Sequence, residues 1–358
     1  MRRLEDYGWT TDNQVDWSSS ELADYTPARV IADYGRQYKI AAPQELIAQL
    51  AGSLVHKLAS TDMPKVGDWV AVELSDDDNI IHAVLPRSSE IARGHIGVHK
   101  TKQVVATNVD LALVVQPLDQ DFSLERLERY IFQLSQQNIE TVILLNKSDA
   151  AKDALSKQEE VSSLSVKSVI LSAKFDSDVT TVEKLIPRGK TAVIMGSSGA
   201  GKSTLTNRLL GDEVQATAAI RERDGKGRHT TVHRELFVLP SGGMIIDTPG
   251  IRELQLWGDA ADLAGAFPDI AAVIKNCKYS NCSHTVENDC AVTSGLKSGV
   301  IDKRRYKAYQ NFAREIKALE DKRGAIAERR TAHSKAVAKR RRDRTLRYER
   351  DNDLSTLE

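Results

Sequence analysis

Apolar and polar positions change rhythm several times along this 358-residue chain. Residues 1–27 are polar and show no clear period, which predicts a poorly ordered lead-in. From 28 to 92 the pattern reads as short strands at 28–34, 37–41, 53–57, 66–74 and 79–85, with a turn at Gly35-Arg36 between the first two and clear alternation at 66–74. Short strands at close spacing predict a small barrel. Five strands suit an OB-like barrel, and an SH3-like barrel is the alternative that alternation does not separate from it. A polar stretch at 91–105 reads as a linker. The rhythm then becomes that of α/β structure, with apolar runs at 109–115, 141–145, 166–171, 191–195 and 244–246 and a helix-periodic segment at 124–136. Past 257 the pattern turns helical and loop-like, and 299–348 favours helix. The expected fold class is therefore multidomain α/β. It comprises an OB-like barrel at 28–92, a doubly wound sheet at 93–256, a helical module at 257–320 and a tail at 321–358.

In the α/β segment the apolar runs end at loops rich in chemistry. A doubly wound sheet has this property, because its ligands sit outside the carboxyl ends of the strands. The run at 191–195 leads into Gly196-Ser197-Ser198-Gly199-Ala200-Gly201-Lys202-Ser203, with Thr204 continuing into a helix. Backbone N–H groups of such a turn surround phosphates at the helix N-terminus. Lys202 is expected to reach the β- and γ-phosphates, and Ser203 to ligate Mg²⁺. The run at 141–145 leads into Asn146-Lys147-Ser148-Asp149. A carboxylate at Asp149 can accept both N1–H and the exocyclic amino group of guanine, a pairing adenine cannot match. Asn146 would brace the neighbouring loop, and the stem of Lys147 would cover the base. Ser172-Ala173-Lys174 would bring a backbone N–H near guanine O6. Asp247-Thr248-Pro249-Gly250 offers a carboxylate for Mg²⁺ and, at Gly250, a backbone N–H that a ligand can approach closely.

Their order is unusual. In an ordinary small GTPase the phosphate loop leads and the base-reading motifs trail; here the base-reading motifs lead. All parts are present in a circularly permuted GTPase. Between the phosphate loop and Asp247 lies Arg223-Asp224-Gly225-Lys226-Gly227-Arg228-His229-Thr230-Thr231, at the switch position. Thr231 is the expected Mg²⁺- and γ-phosphate-sensing hydroxyl, with Thr230 as the competing register. Ile251 stands where many GTPases carry a water-orienting Gln, and an apolar side chain cannot orient water. His229 is the candidate to replace it, beside Lys202 and Thr231 in the catalytic set.

Charge alters the picture at one end. The formal net charge is zero, yet residues 303–350 hold 18 Lys and Arg against 6 Asp and Glu. A basic tail on an acidic body suggests a polyanionic partner, with a solvated helical tail as the alternative. All 3 cysteines lie between 277 and 290, which excludes a distributed disulfide framework. With His284, the thiols Cys277, Cys282 and Cys290 make up the donor set of a closed, structural Zn²⁺ site. No run approaches the ~20 apolar residues of a membrane span, and the first residues turn acidic where a secretory signal turns apolar. A cytoplasmic location with no membrane partner is expected.

With these residues assembled, the chain resembles the ribosome-small-subunit-dependent GTPase A family, also called RsgA or YjeQ, over roughly residues 28 to 320. The resemblance is carried by Val66-Gly67-Asp68-Trp69-Val70, the permuted motif order, Gly227-Arg228-His229-Thr230-Thr231 and the Cys/His cluster. It implies a bacterial factor that acts late in maturation of the small ribosomal subunit, with GTP hydrolysis strongly stimulated by that subunit; the expected partners are the subunit's rRNA, GTP and GDP, and a monomer is expected. It also implies a hydrolytic role for His229 and matches Thr231 to the second Thr of the stretch. The basic tail beyond 330 is longer than the family pattern needs. Two other classes share many of these features: a signalling GTPase with a non-ribosomal partner, and a GTP-regulated RNA-binding zinc protein.

Overall fold

In the computed structural model the described residues are 2–59, 61–76, 78–93, 103–137, 139–211, 234–247, 260–285, 287–318 and 321. The chain divides into two units, Met1–Trp257 and Gly258–Glu358.

Strand order explains the first unit. Strands β1 (Thr26–Asp33), β2 (Gln37–Ala41), β3 (Glu45–Leu50), β4 (Trp69–Glu73) and β5 (Asn79–Val84) run in the spatial order β1-β2-β3-β5-β4, and β4 pairs back with β1. That pairing closes a five-stranded barrel of OB-like form. Ala28, Val30, Tyr38, Ile40, Val70, Val72 and Ile81 fill its interior. The third strand is Glu45–Leu50, and residues 53–57, expected as a strand, lie in helix α2 (Gly52–Lys57). Five residues are too few to separate period two from period 3.6, and the segment buries none of its side chains.

The lead-in is folded. A 3-10 turn at Leu4–Tyr7 and helix α1 (Thr11–Ser18), capped by the Thr10 side chain, bury Tyr7, Trp9 and Trp17. The Trp9 ring packs edge-on against Trp17 at 5.8 Å and Trp69 at 4.7 Å, measured between centroids. A few aromatics against a distant strand anchor this segment, a contact no local period reports. The polar stretch at 91–105 is likewise not simply a linker. Strands β6 (Glu90–Arg93) and β7 (Gln103–Thr107) pair antiparallel at its two ends.

The α/β part is built on β8 (Leu111–Pro117), β9 (Glu140–Asn146), β10 (Lys167–Ile170), β11 (Thr191–Gly196), β12 (Glu235–Val238) and β13 (Met244–Asp247), ordered β10-β9-β8-β11-β13-β12. All are parallel except β12. Side chains alternate between two cores. Ala112, Val114, Ile143, Leu145, Val193 and Met195 face one core with α3 (Leu124–Ser135) and α4 (Ala154–Ser162). Leu111, Leu113, Val142, Leu144, Ala192 and Ile194 face the other with α5 (Asp176–Glu183) and α6 (202–211). Helices thus cover both faces, which makes the sheet doubly wound. At its edge β12 pairs with β1 through Ala32↔Glu235, so barrel and sheet form one eleven-stranded array.

In the second unit α7 (Ala260–Ala266), α8 (Pro268–Ile274), α9 (Ala291–Ser298) and α10 (303–318) surround the cysteine-bearing loop. Phe267 packs against Tyr309 and Phe312 of α10, and Arg305 makes a two-pronged ion pair with Asp269. Among the described residues no helix is long and apolar enough to cross a membrane.

Candidate nucleotide site and metal centre

The carboxyl ends of β9, β8 and β11 lie side by side, so base-reading and phosphate loops emerge next to one another. Asn146, the last residue of β9 and 2% exposed, joins three of them. Its Nδ2 donates to the Ala200 carbonyl of the phosphate loop at 2.8 Å, and its Oδ1 accepts the Ala173 N–H at 2.9 Å. A buried amide with both ends used fixes the spacing between loops, because leaving either group unpaired costs about 1–3 kcal/mol.

The phosphate loop runs from the end of β11 into α6. Gly196 has φ 141° and Gly201 φ 96°. A Cβ at Gly196 would lie 2.2 Å from the Val115 carbonyl oxygen, and one at Gly201 2.2 Å from Asn146 Nδ2. Both positions exclude any side chain. Lys202 Nζ donates to the Ser197 carbonyl at 2.5 Å, arching over the loop. Ser198 and Gly199 are exposed at its crest, and Ser203 and Thr204 are exposed in the first turn of α6. Asp247 ends β13, one residue beyond the registered pair Val193↔Ile246, on the strand beside the one that leads into the phosphate loop.

On the base side, Asp149 Oδ2 is paired with Lys174 Nζ at 2.6 Å, and Oδ1 accepts the Ser172 hydroxyl at 2.8 Å. Lys174 first, and Ser172 second, hold this carboxyl below its ordinary pKa, so it is ready as an ionised acceptor. Lys147 takes a left-handed backbone, φ 67°. Its Nζ pairs with Asp119 at 2.8 Å. Arg208 of α6 donates to the Lys174 carbonyl, tying the phosphate-side helix to the base loop.

Asn146, Lys147, Asp149, Ser172, Ala173, Lys174 and the 196–204 segment are therefore brought together at one end of the sheet. His229, Thr230, Thr231, Gly250 and Ile251 lie outside the described residues, as does the tail beyond 321. Sequence reading missed Asp119 and Asp121, which sit in the loop after β8 and bond to Lys147 of the base motif and Ser197 of the phosphate loop. No sequence signature marks them.

In the second unit the Sγ atoms of Cys277, Cys282 and Cys290 and a ring nitrogen of His284 all lie within 4.8 Å of one another. His284 Nδ1 is 3.5 Å from Cys277 Sγ and 3.6 Å from Cys290 Sγ. Tetrahedral zinc with ordinary bond lengths has S···N edges of roughly 3.5 Å, so the donors fit a four-coordinate ion. Burial pushes the Cys290 thiol up, but the Thr293 side chain and N–H and then His284 outweigh it and bring it down to about 6. Burial drives Cys282 up to about 11.

Similarity to known proteins agrees with this geometry. The RsgA GTPase family model matches residues 84–257. A small ribosomal subunit biogenesis GTPase RsgA from Opitutus terrae is 39% identical over 327 residues, covering 87% of this chain and 89% of that protein. The chain belongs to the RsgA GTPase family. An RsgA of Leptospira interrogans is 37% identical across 95% of this chain and 97% of its own. Among solved structures, YjeQ from Thermotoga maritima superposes with a TM-score of 0.62 at 22% identity, covering 81% of this chain and 98% of that one. YloQ, described as a circularly permuted GTPase, gives 0.59 at 23% identity over 84% and 97%. As an RsgA GTPase the chain hydrolyses GTP, and it has the permuted fold with an OB-like barrel.

Proposed function

We propose that this RsgA GTPase binds the small ribosomal subunit and hydrolyses GTP during the subunit's late maturation, with hydrolysis stimulated by the subunit. The observation that carries the nucleotide part is the Asn146 amide, bonded at once to the phosphate loop and to the base loop. It supports a single site with Asp149 at the base end and Lys202 at the phosphate end. The subunit as partner is supported by relatives named small ribosomal subunit biogenesis GTPases.

In this reading Asp149 selects guanine, Lys147 covers it, and the 173–174 backbone faces O6. N–H groups of 197–204 and Gly250 hold phosphate oxygens, and Lys202 neutralises them. Ser203, Asp247 and Thr231 would hold Mg²⁺, which supplies charge compensation across the phosphates when bound. His229 takes the place of the missing Gln beside the attacking water. Cys277, Cys282, His284 and Cys290 hold one structural Zn²⁺. The barrel at 28–92 and the basic residues of 303–350 contact rRNA phosphates and unpaired bases, and the protein works as a cytoplasmic monomer. The +12 excess of that segment supports a salt-sensitive grip.

The test is co-sedimentation with purified small subunits in GDP and in a non-hydrolysable GTP analogue, with turnover measured in parallel. Tighter binding with the analogue and a large rise in turnover are expected. Equal binding in both states, with turnover indifferent to subunits, would sink the reading.

A further inference from the structure

Strand β8 lies between β9, whose end carries the base motif, and β11, whose end carries the phosphate loop. The loop leaving β8, Pro117-Leu118-Asp119-Gln120-Asp121-Phe122, therefore emerges between the two halves of the pocket. It is tied to both. Toward the base, the Leu118 N–H donates to the Asn146 carbonyl at 2.9 Å, and Asp119 Oδ2 accepts from Lys147 Nζ at 2.8 Å. Toward the phosphates, Asp121 Oδ2 accepts the Ser197 hydroxyl at 2.7 Å.

The loop is also braced from behind. Gln116, 1% exposed at the end of β8, donates to the Asp121 carbonyl at 2.9 Å. Lys157 of α4 donates to the Leu118 carbonyl at 3.1 Å, and Arg126 of α3 grips both Asp121 oxygens at 2.7 and 2.8 Å. This last pair matters electrostatically. A bare carboxylate beside a phosphate loop would repel the ligand, and the guanidinium cancels its charge while leaving an oxygen able to accept from Ser197.

We propose that the 117–122 loop is a spacer that sets the distance between base pocket and phosphate loop, with Asp119 positioning Lys147 over the base and Asp121 positioning Ser197 at the phosphate end. Neither carboxylate touches the reacting atoms; each acts through the residue it holds. The inference rests on the nucleotide reading above. It assigns the two aspartates separable effects, one at each end of the same ligand.

The test uses the full chain and a fluorescent GDP analogue, with unlabelled guanosine and GDP as competitors. Asp119→Asn should weaken guanosine and GDP alike by about fivefold, the scale of an exposed ion pair. Asp121→Asn should weaken GDP by a similar factor and leave guanosine at its wild-type affinity. In GTP turnover both losses should fall on KM more than on kcat, and Asp119→Glu should recover part of the first. Unchanged affinities in both variants would overturn the proposal. So would equal losses of guanosine and GDP in Asp121→Asn, since that pattern marks general loosening of the loop. A wild-type protein that binds no guanine nucleotide would instead remove the reading of the site beneath it.

Discussion

The nucleotide pocket and the cysteine cluster are both gathered from separated sequence positions, but different things hold them together. In the pocket, parallel strands β9, β8 and β11 aim their loops at one place, and Asn146, Asp119 and Asp121 bond the loops to each other. The cluster sits on a loop between α8 and α9, with His284 at φ 60° and Asp289 at φ 62°. Four donors within 4.8 Å, on so little regular structure, form a group that could hold a metal ion. One site is held by a scaffold of paired strands; the other is four donor side chains on a loop.

The largest effect should come from removing that ion. Chelation, or Cys282→Ser, should unfold the second unit, seen as loss of helical signal and rapid proteolysis after residue 257, while GDP binding by the first unit persists. Loss of both units together, or of neither, would break the distinction. Elemental analysis of the untreated protein should find one zinc per chain. Next in size is Asp149→Asn. Replacing one acceptor oxygen by a donor should cost roughly 100-fold in GTP affinity and raise affinity for xanthosine triphosphate, measured by competition. Equal losses for the two nucleotides would show that Asp149 supports the loop and does not read the base.

Much of the pocket is legible in the order of residues alone. Strands at 141–145 and 191–195 announce themselves as apolar runs, and the motif residues directly after them need no tertiary information. What is illegible depends on contacts across long separations. Trp9 and Trp17 look like isolated aromatics in a polar segment until Trp69 supplies their partner. The pairing of β6 with β7 joins stretches whose polarity suggests a linker. Asp119 and Asp121 read as ordinary turn acids, because their importance comes from β8 lying between two other strands. Residues 53–57 mislead for a different reason, since a one-turn helix and a short strand share the same few apolar positions.

Two smaller effects sharpen the comparison further. His229→Ala should keep nucleotide affinity and lose at least roughly tenfold in subunit-stimulated turnover, showing that a preformed pocket binds without the group that completes its chemistry. Stimulated turnover at the wild-type rate would leave His229 a solvent-facing side chain. The smallest effect concerns acid. Arg126, then Ser197, hold Asp121 down to about 2, below its ordinary 3.8. Its folded pKa is depressed, so its contribution to stability is fully present above about pH 4 and fades as pH falls toward about 2. The stability gap between wild type and Asp121→Asn should be constant from neutral pH to about 4 and shrink below it. A gap that varies near neutrality would point to another group.

The pairing of β12 with β1 has a consequence for solubility. An open parallel sheet ends in edge strands whose unpaired backbone groups can recruit another chain. Here the far edge is β10, four residues long and beginning with Lys167, a poor template for addition. At the near edge, β12 meets the chain's own barrel at one residue pair, Ala32↔Glu235. A fragment trimmed to residues 93–256 would keep every nucleotide motif and lose the barrel strand that pairs with β12 at Glu235. The barrel, whatever it grips, also serves this protein as a built-in end-stop against self-stacking.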